Sequence, residues 1–368
     1  MDFSATQAQQ ELSSLSRRIL TDRVTPDRLA ELERAGRGFD QVAWNDLAAA
    51  GILTAALPES AGGDGYGLAE QCSILIELGR AVALAPYLES IVLGAGAVAR
   101  FGSPPQVQRY AAAAATGELI ITTALAEPGD GDLDRPTTRA ERAGEGWSVT
   151  GTKSAVPYGA AAGLFLVSAA TPAGTAVFAI RSGDSGVSVE PQRLIDGAGA
   201  AQVHFAAVPL SSGRLIGQPD GEVISWLTDR ATVGLCALQL GVTERALELT
   251  AEYARTRQAF GRAIGAFQAV AQRLADAYID VEAIRLTMWQ AAWRLDNELP
   301  AAAEVATAKF WAADGGHRVA HCAVHVHGGV GIDVSHPVHR YFAAAKRNEF
   351  ALGGATAQLR KLGAVLAR

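Results

Sequence analysis

Residues 239–268 read QLGVTERALELTAEYARTRQAFGRAIGAFQ. Val242, Ala246, Leu249 and Tyr253 recur at the spacing of one helical face, and Glu244, Arg245, Glu248 and Glu252 supply the polar positions. The pattern stops at Arg257-Gln258-Ala259-Phe260-Gly261, and a second helical pattern opens near Phe267-Gln268. Arg257 thus stands at the end of an amphipathic helix, beside a break in the backbone. Its parallel donors suit a phosphate group. A solvated last-turn arginine would equally complement the helix dipole, and the stretch by itself reads as that.

Working outward, 368 residues give room for two or three domains and a large core. A net charge of −6 without any basic block argues against a nucleic-acid partner. Cys72, Cys236 and Cys322 are far apart and odd in number, so they read as reduced core thiols in a cytosolic, cytoplasmic protein. Met1-Asp2-Phe3-Ser4 lacks the charged-then-apolar pattern of a leader. Pro86 and Glu89 interrupt the most apolar stretch, Ala81 to Ala99, which excludes a membrane span there.

From about Gln7 to Gly117 the periodicity is helical, with Leu12, Leu15, Ile19, Leu29 and Leu32 in register and Pro26 suited to a first helical turn. The run Gly62-Gly63-Asp64-Gly65-Tyr66-Gly67 reads as a turn between helices, because no strand precedes it. Gly94-Ala95-Gly96-Ala97-Val98-Ala99 mimics a dinucleotide-binding fingerprint. It also lacks a preceding strand, and Glu118 comes before the next apolar run rather than after it. These glycines are read as close helix packing. Near Leu119 the period changes. Leu119–Leu125, Trp147–Gly151, Gly163–Ser168, Ala176–Ile180, Val187–Val189 and Gln202–Phe205 are short β-rich runs, the pattern of a small sheet-on-sheet or barrel domain. From about Ile224 the helical pattern returns and holds to the C-terminus.

Arg257-Gln258-Ala259-Phe260-Gly261, Phe267-Gln268 and Leu274-Ala275-Asp276 resemble the C-terminal domain of the acyl-CoA dehydrogenases. Pro58-Glu59 with Gly62-Gly63, Glu77-Leu78-Gly79-Arg80, Glu127-Pro128, Gly151-Thr152-Lys153 and Gly328-Gly329-Val330-Gly331 fall in that family's order and rough spacing. The likeness covers nearly the whole chain. It is closest to actinobacterial subunits that lack the usual catalytic glutamate and work beside a second, different subunit. The resemblance implies a mixed α and β fold with an N-terminal helical domain (1–118), a small β-domain (119–222) and a C-terminal helical bundle (223–368). It also implies FAD, an acyl-CoA substrate and, as usual in the family, a tetramer.

In that family a carboxylate removes the proton alpha to the thioester and hydride passes to the flavin. The glutamate's position falls on Leu352 counted forward from Gly328, or on Gly353 counted back from Arg360, and neither residue can act as a base. Glu349, three residues earlier, would share a helical face with Leu352. Relatives that place the base on the long helix point instead to Asp229, Glu248 or Glu252. Each of these four also reads as a solvated helical acid.

The family's ring-facing Trp and Thr positions hold Ala155 and Pro157 here, and Asp132 replaces the serine after Glu-Pro-Gly-x-Gly. By resemblance the ADP end of a neighbour's flavin meets Arg257, Phe260, Gln268, His325, Gly328 and Gly329, which are largely kept. The expectation is a chain that supplies the ADP-side half of a site to a partner and has lost much of its own half. Two alternatives stay open: a self-sufficient homo-oligomer with a displaced base, and a scaffold subunit without flavin. His317, His321, His325 and His327 cluster in sequence, but no nearby Glu or spaced Cys pair completes a ligand set, so no metal is expected.

Overall fold

The computed structural model describes residues 3–129 and 132–367. Met1 and Asp2 of the start, Asp130 and Gly131 of the Glu-Pro-Gly-x-Gly motif, and Arg368 lie outside the described residues. Helices come first: α1 (Gln7–Arg23), α2 (Pro26–Arg34), α3 (Gln41–Ala49) and α4 (Leu68–Ala81). A π-helix (Tyr87–Ala95) follows, then the short α5 (Gly96–Phe101), α6 (Pro104–Gln106) and α7 (Ala112–Ala115). Strands β1 (Ile121–Ala124), β2 (Arg139–Ala143), β3 (Gly146–Pro157), β4 (Leu164–Thr171), β5 (Gly174–Arg181), β6 (Val187–Arg193), β7 (Gly199–Leu210) and β8 (Leu215–Ile216) form the middle. The long α8 (Glu222–Thr256) leads to a small hairpin, β9 (Gln258–Ala259) and β10 (Arg262–Ala263). The chain closes with α9 (Gln268–Asp296), α10 (Ala302–His327), α11 (Val338–Phe350) and α12 (Ala355–Leu366). This is the mixed architecture expected: N-terminal helices, a β-sheet domain and a C-terminal helical region.

By packing, the chain makes two compact units that interleave in sequence. One takes the start up to Pro26, Leu68–Ala83 and everything from Thr232. Here α8 is buried on nearly every side from Val233 to Val242, as a helix apolar all round must be. It crosses α4 at backbone contact. A Cβ on Gly241 would lie 1.9 Å from the Ile76 carbonyl oxygen, and one on Gly79 would lie 2.1 Å from that of Leu238. Beside the crossing, Arg80 donates to Glu244 at 2.8 Å and to Glu248 at 2.8 Å. The Tyr341 hydroxyl donates to the Arg80 carbonyl at 2.8 Å. Arg17 of α1 grips Glu77 with two bonds of 2.7 and 2.8 Å. Val242, Ala246, Ala320, Ala323, Val338 and Tyr341 close the core between α8, α10 and α11.

The other unit takes Asp27–Gly67 and Leu84–Ala231. Its sheet runs β6-β7-β3-β2-β4-β5-β8, with β1 parallel on β4. Its two halves join at one pair, Arg139 with Ala170. Trp147, Val149, Phe165, Phe178, Val203 and Phe205 share the core, and Trp147 meets Phe178 edge-on at 5.3 Å. The six β-rich runs read from the sequence all fall on strands. β2, with the sequence Arg-Ala-Glu-Arg-Ala, carries no such signal, because only Ala140 of it is buried. The Gly94–Ala99 glycines serve packing: a Cβ on Gly94 would stand 2.6 Å from that of Ile121, and one on Gly96 3.1 Å from Trp226.

Two motifs distant in sequence meet in this unit. The buried Lys153 ammonium donates to Glu127 (2.8 Å), Ser168 (2.9 Å) and the Leu125 carbonyl (3.2 Å), which satisfies all three of its protons. Glu127 also accepts from the Thr137 and Thr138 amides at 2.6 and 2.8 Å. Burial raises the Glu127 carboxyl, but the bonds from Lys153, Thr137 and Thr138 outweigh it and hold it down at about 2. Cys72, Cys236 and Cys322 are free and buried; burial pushes the Cys236 thiol up to about 12. Among the described residues, no helix is long and apolar enough to cross a membrane.

Two outcomes follow from these contacts. Gly241→Ala forces α4 and α8 apart and should cost about 1–3 kcal/mol, read as a fall of several degrees in the melting temperature; an unchanged melt contradicts the crossing. Lys153→Met leaves Glu127 buried and unpaired and should cost about 3–5 kcal/mol in denaturant titration. Because the folded carboxyl is the more acidic, its stabilisation is full above pH 4.5 and fades as the pH falls toward 2. The variant should show a weaker acid limb, since only the Thr137 and Thr138 bonds remain to favour the anion.

Candidate functional site

The end of α8 builds the site. The Arg257 amide still bonds the Tyr253 carbonyl at 2.8 Å, and the Arg257 carbonyl accepts from the Ile264 amide at 2.9 Å, which closes the hairpin loop. At the hairpin tip Phe260 (φ 52°) and Gly261 (φ 79°) are both left-handed, as a two-residue turn between twisted strands requires. Phe260 is 95 % exposed at a conformation that disfavours a bulky side chain. Among the described residues, nothing rewards that placement beyond an edge contact with Phe267 at 6.1 Å.

Against this hairpin α10 ends at His327, where Gly328 turns the chain at φ 64°, ψ −138°, a region only glycine enters freely. A groove of about 550 Å³ lies between them. Tyr253, Arg257 and Ile264 form one side; Val326, His327, Gly328, Gly329, Val330 and Asp333 form the other. A Cβ on Gly328 or Gly329 would meet nothing within 4 Å. Among the described residues no contact demands glycine at 329, so its small size leaves room for something from outside. The Arg257 guanidinium is exposed and, among the described residues, has no ion-pair partner. Asp333 is the opposing charge, but its carboxylate is taken by the Ser335 amide and hydroxyl, both at 2.9 Å. An unpaired guanidinium beside open backbone at two glycines fits the pyrophosphate of a dinucleotide.

The structure thus brings Arg257, Gly328 and Gly329 together. Gln268 is the exposed first residue of α9. His325 is exposed and lines a separate groove of about 760 Å³ with Arg273, His317 and His321. Tyr253, His327 and Asp333 were not read as site residues. The signals were present: Tyr253 stands one helical turn before Arg257, and His327 immediately precedes the glycine pair. Of the histidine cluster, His317 and His321 lie ring to ring at 4.3 Å in the same groove as His325, and His327 lines the Arg257 groove instead. His317 Nδ1 lies 2.9 Å from the Lys346 ammonium and 3.2 Å from Glu349, while His321 meets Phe342 edge-on. Among the described residues, no group of three or more His, Cys, Asp or Glu is arranged to hold a metal.

None of the candidate bases lines the Arg257 groove. Leu352 occupies the family position at φ 57°, and Gln358 clamps its carbonyl at 2.9 Å and that of Gly353 at 3.1 Å. Helix α11 stops at Phe350, so Glu349 and Leu352 do not share a helical face, and Glu349 is paired with Lys346 at 2.5 Å. Burial raises the Glu248 carboxyl, but Arg245 and Arg80 outweigh it and hold it below its usual range. Glu252 is exposed on α8, and Asp229 is half-buried near the helix start.

At the positions where the resemblance expects ring-facing residues, the register of β3 against β7 slips between Lys153 and Val156. Ala155 takes φ 50° in that bulge and donates its amide to Gln192 at 3.0 Å. The Pro157 carbonyl accepts from the Thr122 hydroxyl at 2.6 Å. Asp132 accepts from the Asp134 amide at 3.1 Å. Neither Ala155 nor Pro157 offers an aromatic face or a hydroxyl.

Comparison with known proteins identifies the family and the fold. The profile described as "Acyl-CoA dehydrogenase, N-terminal domain" matches residues 6–118, and "Acyl-CoA dehydrogenase, C-terminal domain" matches residues 221–367. The chain is 48 % identical over 375 residues to acyl-CoA dehydrogenase FadE27 of Mycobacterium tuberculosis, covering 100 % of this chain and 99 % of that protein. It superposes with a TM-score of 0.96 and 50 % identity on a chain of the ChsE4-ChsE5 complex from Mycobacterium tuberculosis, covering 100 % and 99 % of the two chains. A structure described as the Tcur3481-Tcur3483 steroid ACAD G363A variant matches with a TM-score of 0.92 and 39 % identity, covering 98 % and 97 %. The chain belongs to the acyl-CoA dehydrogenase family.

Proposed function

We propose that this chain is one subunit of a heteromeric FAD-dependent acyl-CoA dehydrogenase, and that it contributes the ADP-side half of a flavin site to a second, catalytic subunit. The observation that carries the reading is an asymmetry. The Arg257–Gly328–Gly329 groove is open and unpaired, while the chain's own ring-facing and base positions hold Ala155, Pro157 and Leu352. When bound, FAD takes the hydride released as a double bond forms between the alpha and beta carbons of the acyl thioester. Arg257 holds the pyrophosphate by charge-assisted bonds, and the glycines allow backbone to approach it. The exposed Phe260, with Gln268, lies against the same ADP end of the cofactor. The carboxylate base comes from the partner, since Glu248 and Glu349 are held in ion pairs.

Matches to a complex of two named chains and to a protein described as a steroid ACAD support the heteromer and a bulky acyl group. A heterotetramer acting in lipid metabolism in the cytoplasm is part of the same reading. So is the division 1–118, 119–222 and 223–368, which sorts the chain by element type. His325, in the neighbouring groove, is retained as a contact at the edge of the site.

The test is the flavin content of this chain, alone and co-purified with the acyl-CoA dehydrogenase encoded beside it. The complex should be yellow and the chain alone colourless. Arg257→Ala in this chain should weaken flavin binding by the complex about tenfold or more, the scale of one charge-assisted contact. Flavin and turnover by the chain alone would overturn the reading in favour of a self-sufficient enzyme. Flavin in the complex indifferent to Arg257 would mark the chain as a scaffold.

A further inference from the structure

The wall of the Arg257 groove contains a polar atom with nothing bound to it. His327 is 4 % exposed and lines the groove. Its Nδ1 lies 2.8 Å from the Ala323 carbonyl, which can only accept, so Nδ1 carries the proton. Burial lowers its pKa, which keeps the ring neutral and leaves Nε2 a pure acceptor. Nε2 is buried and has no hydrogen-bond partner among the described residues. The ring is fixed in place: it stacks on Tyr253 at 4.4 Å and lies 5.0 Å from His336, with no hydrogen bond between the imidazoles.

A buried acceptor left bare destabilises the fold. In native proteins such an atom calls for a partner supplied by water or ligand. A phosphate cannot be that partner, because ionised phosphate oxygens accept and do not donate. A partner on a ligand has to be a hydroxyl or an amine. In a dinucleotide those groups lie on the nucleoside, away from the phosphates that Arg257 attracts.

We infer that His327 is a specificity residue of this groove: its Nε2 accepts a hydrogen bond from a hydroxyl or amino group on the nucleoside end of the ligand, while Arg257 and the glycine turn take the phosphates. The inference rests on the reading of the groove as the ADP side of a flavin site. It adds a second recognition element of opposite chemistry, an acceptor that tells a nucleotide from bare phosphate.

The experiment uses the co-purified complex stripped of flavin and titrated calorimetrically with ADP, inosine diphosphate, 2′-deoxy-ADP, 3′-deoxy-ADP and inorganic pyrophosphate. With the unaltered protein, one of the three analogues should bind about tenfold more weakly than ADP, the loss of one hydrogen bond to a buried group. His327→Phe keeps the stack on Tyr253 but removes the acceptor. It should weaken ADP about tenfold, abolish the discrimination and leave pyrophosphate unchanged. His327→Gln, whose amide oxygen can accept, should restore ADP binding. Equal affinity for ADP and all three analogues overturns the inference, as does discrimination that survives His327→Phe. Pyrophosphate and ADP binding unaffected by Arg257→Ala would instead overturn the reading of the groove itself.

Discussion

The crossing of α4 and α8 is the constraint on which the rest of the helical unit depends. Two helices meet with glycine against carbonyl at both Gly79 and Gly241, closer than any side chain would allow. Arg80 then fastens the contact by reaching Glu244 and Glu248, and its own carbonyl receives the Tyr341 hydroxyl from α11. These bonds fix the course of α8 for the turns that end at Arg257. They also decide a functional question: a carboxylate already engaged by two guanidinium groups, as Glu248 is, is stabilised as the anion and makes a poor proton acceptor.

The same economy appears at a second of the four acidic candidates. Glu349 lies between Lys346 and His317, and the Lys309 ammonium caps the Asn348 and Glu349 carbonyls at 2.8 and 3.1 Å. The turn that follows is still well made, with Gln358 gripping Leu352 and Gly353, yet the side chain it presents is aliphatic. In the sheet unit the buried Lys153–Glu127 pair is likewise fully engaged, with Lys153 two residues from Ala155 and four from Pro157. At the Arg257 groove, by contrast, the Arg257 guanidinium has no ion-pair partner and His327 Nε2 no hydrogen-bond partner among the described residues.

Much of this was legible in the sequence. The face Val242, Ala246, Leu249 and Tyr253 announced α8, and the β-rich run at Leu119–Leu125 marked the change to strands, because both patterns report which residues a fold must bury. Strand β2 was not legible, since its exposed Arg-Ala-Glu-Arg-Ala sequence gains its pairing from β3 and not from burial. Nor was the interleaving of the two units, which is a property of tertiary contacts alone. The placement of His325 shows how far spacing carries. It is two residues from His327, a rotation of about 200° on a helix, so the two rings serve different grooves. Which of them faces the glycine turn depends on the helix's orientation, and no motif encodes that.

The central claim is that the cofactor is divided between unlike chains. An experimental structure of the co-purified complex with flavin bound tests it most directly. The account predicts the pyrophosphate at Arg257 and Gly328-Gly329 of this chain and the ring system held by the partner, with one flavin for each pair of chains. A ring system seated against Ala155 and Pro157 of this chain, or no density at the Arg257 groove, would contradict it.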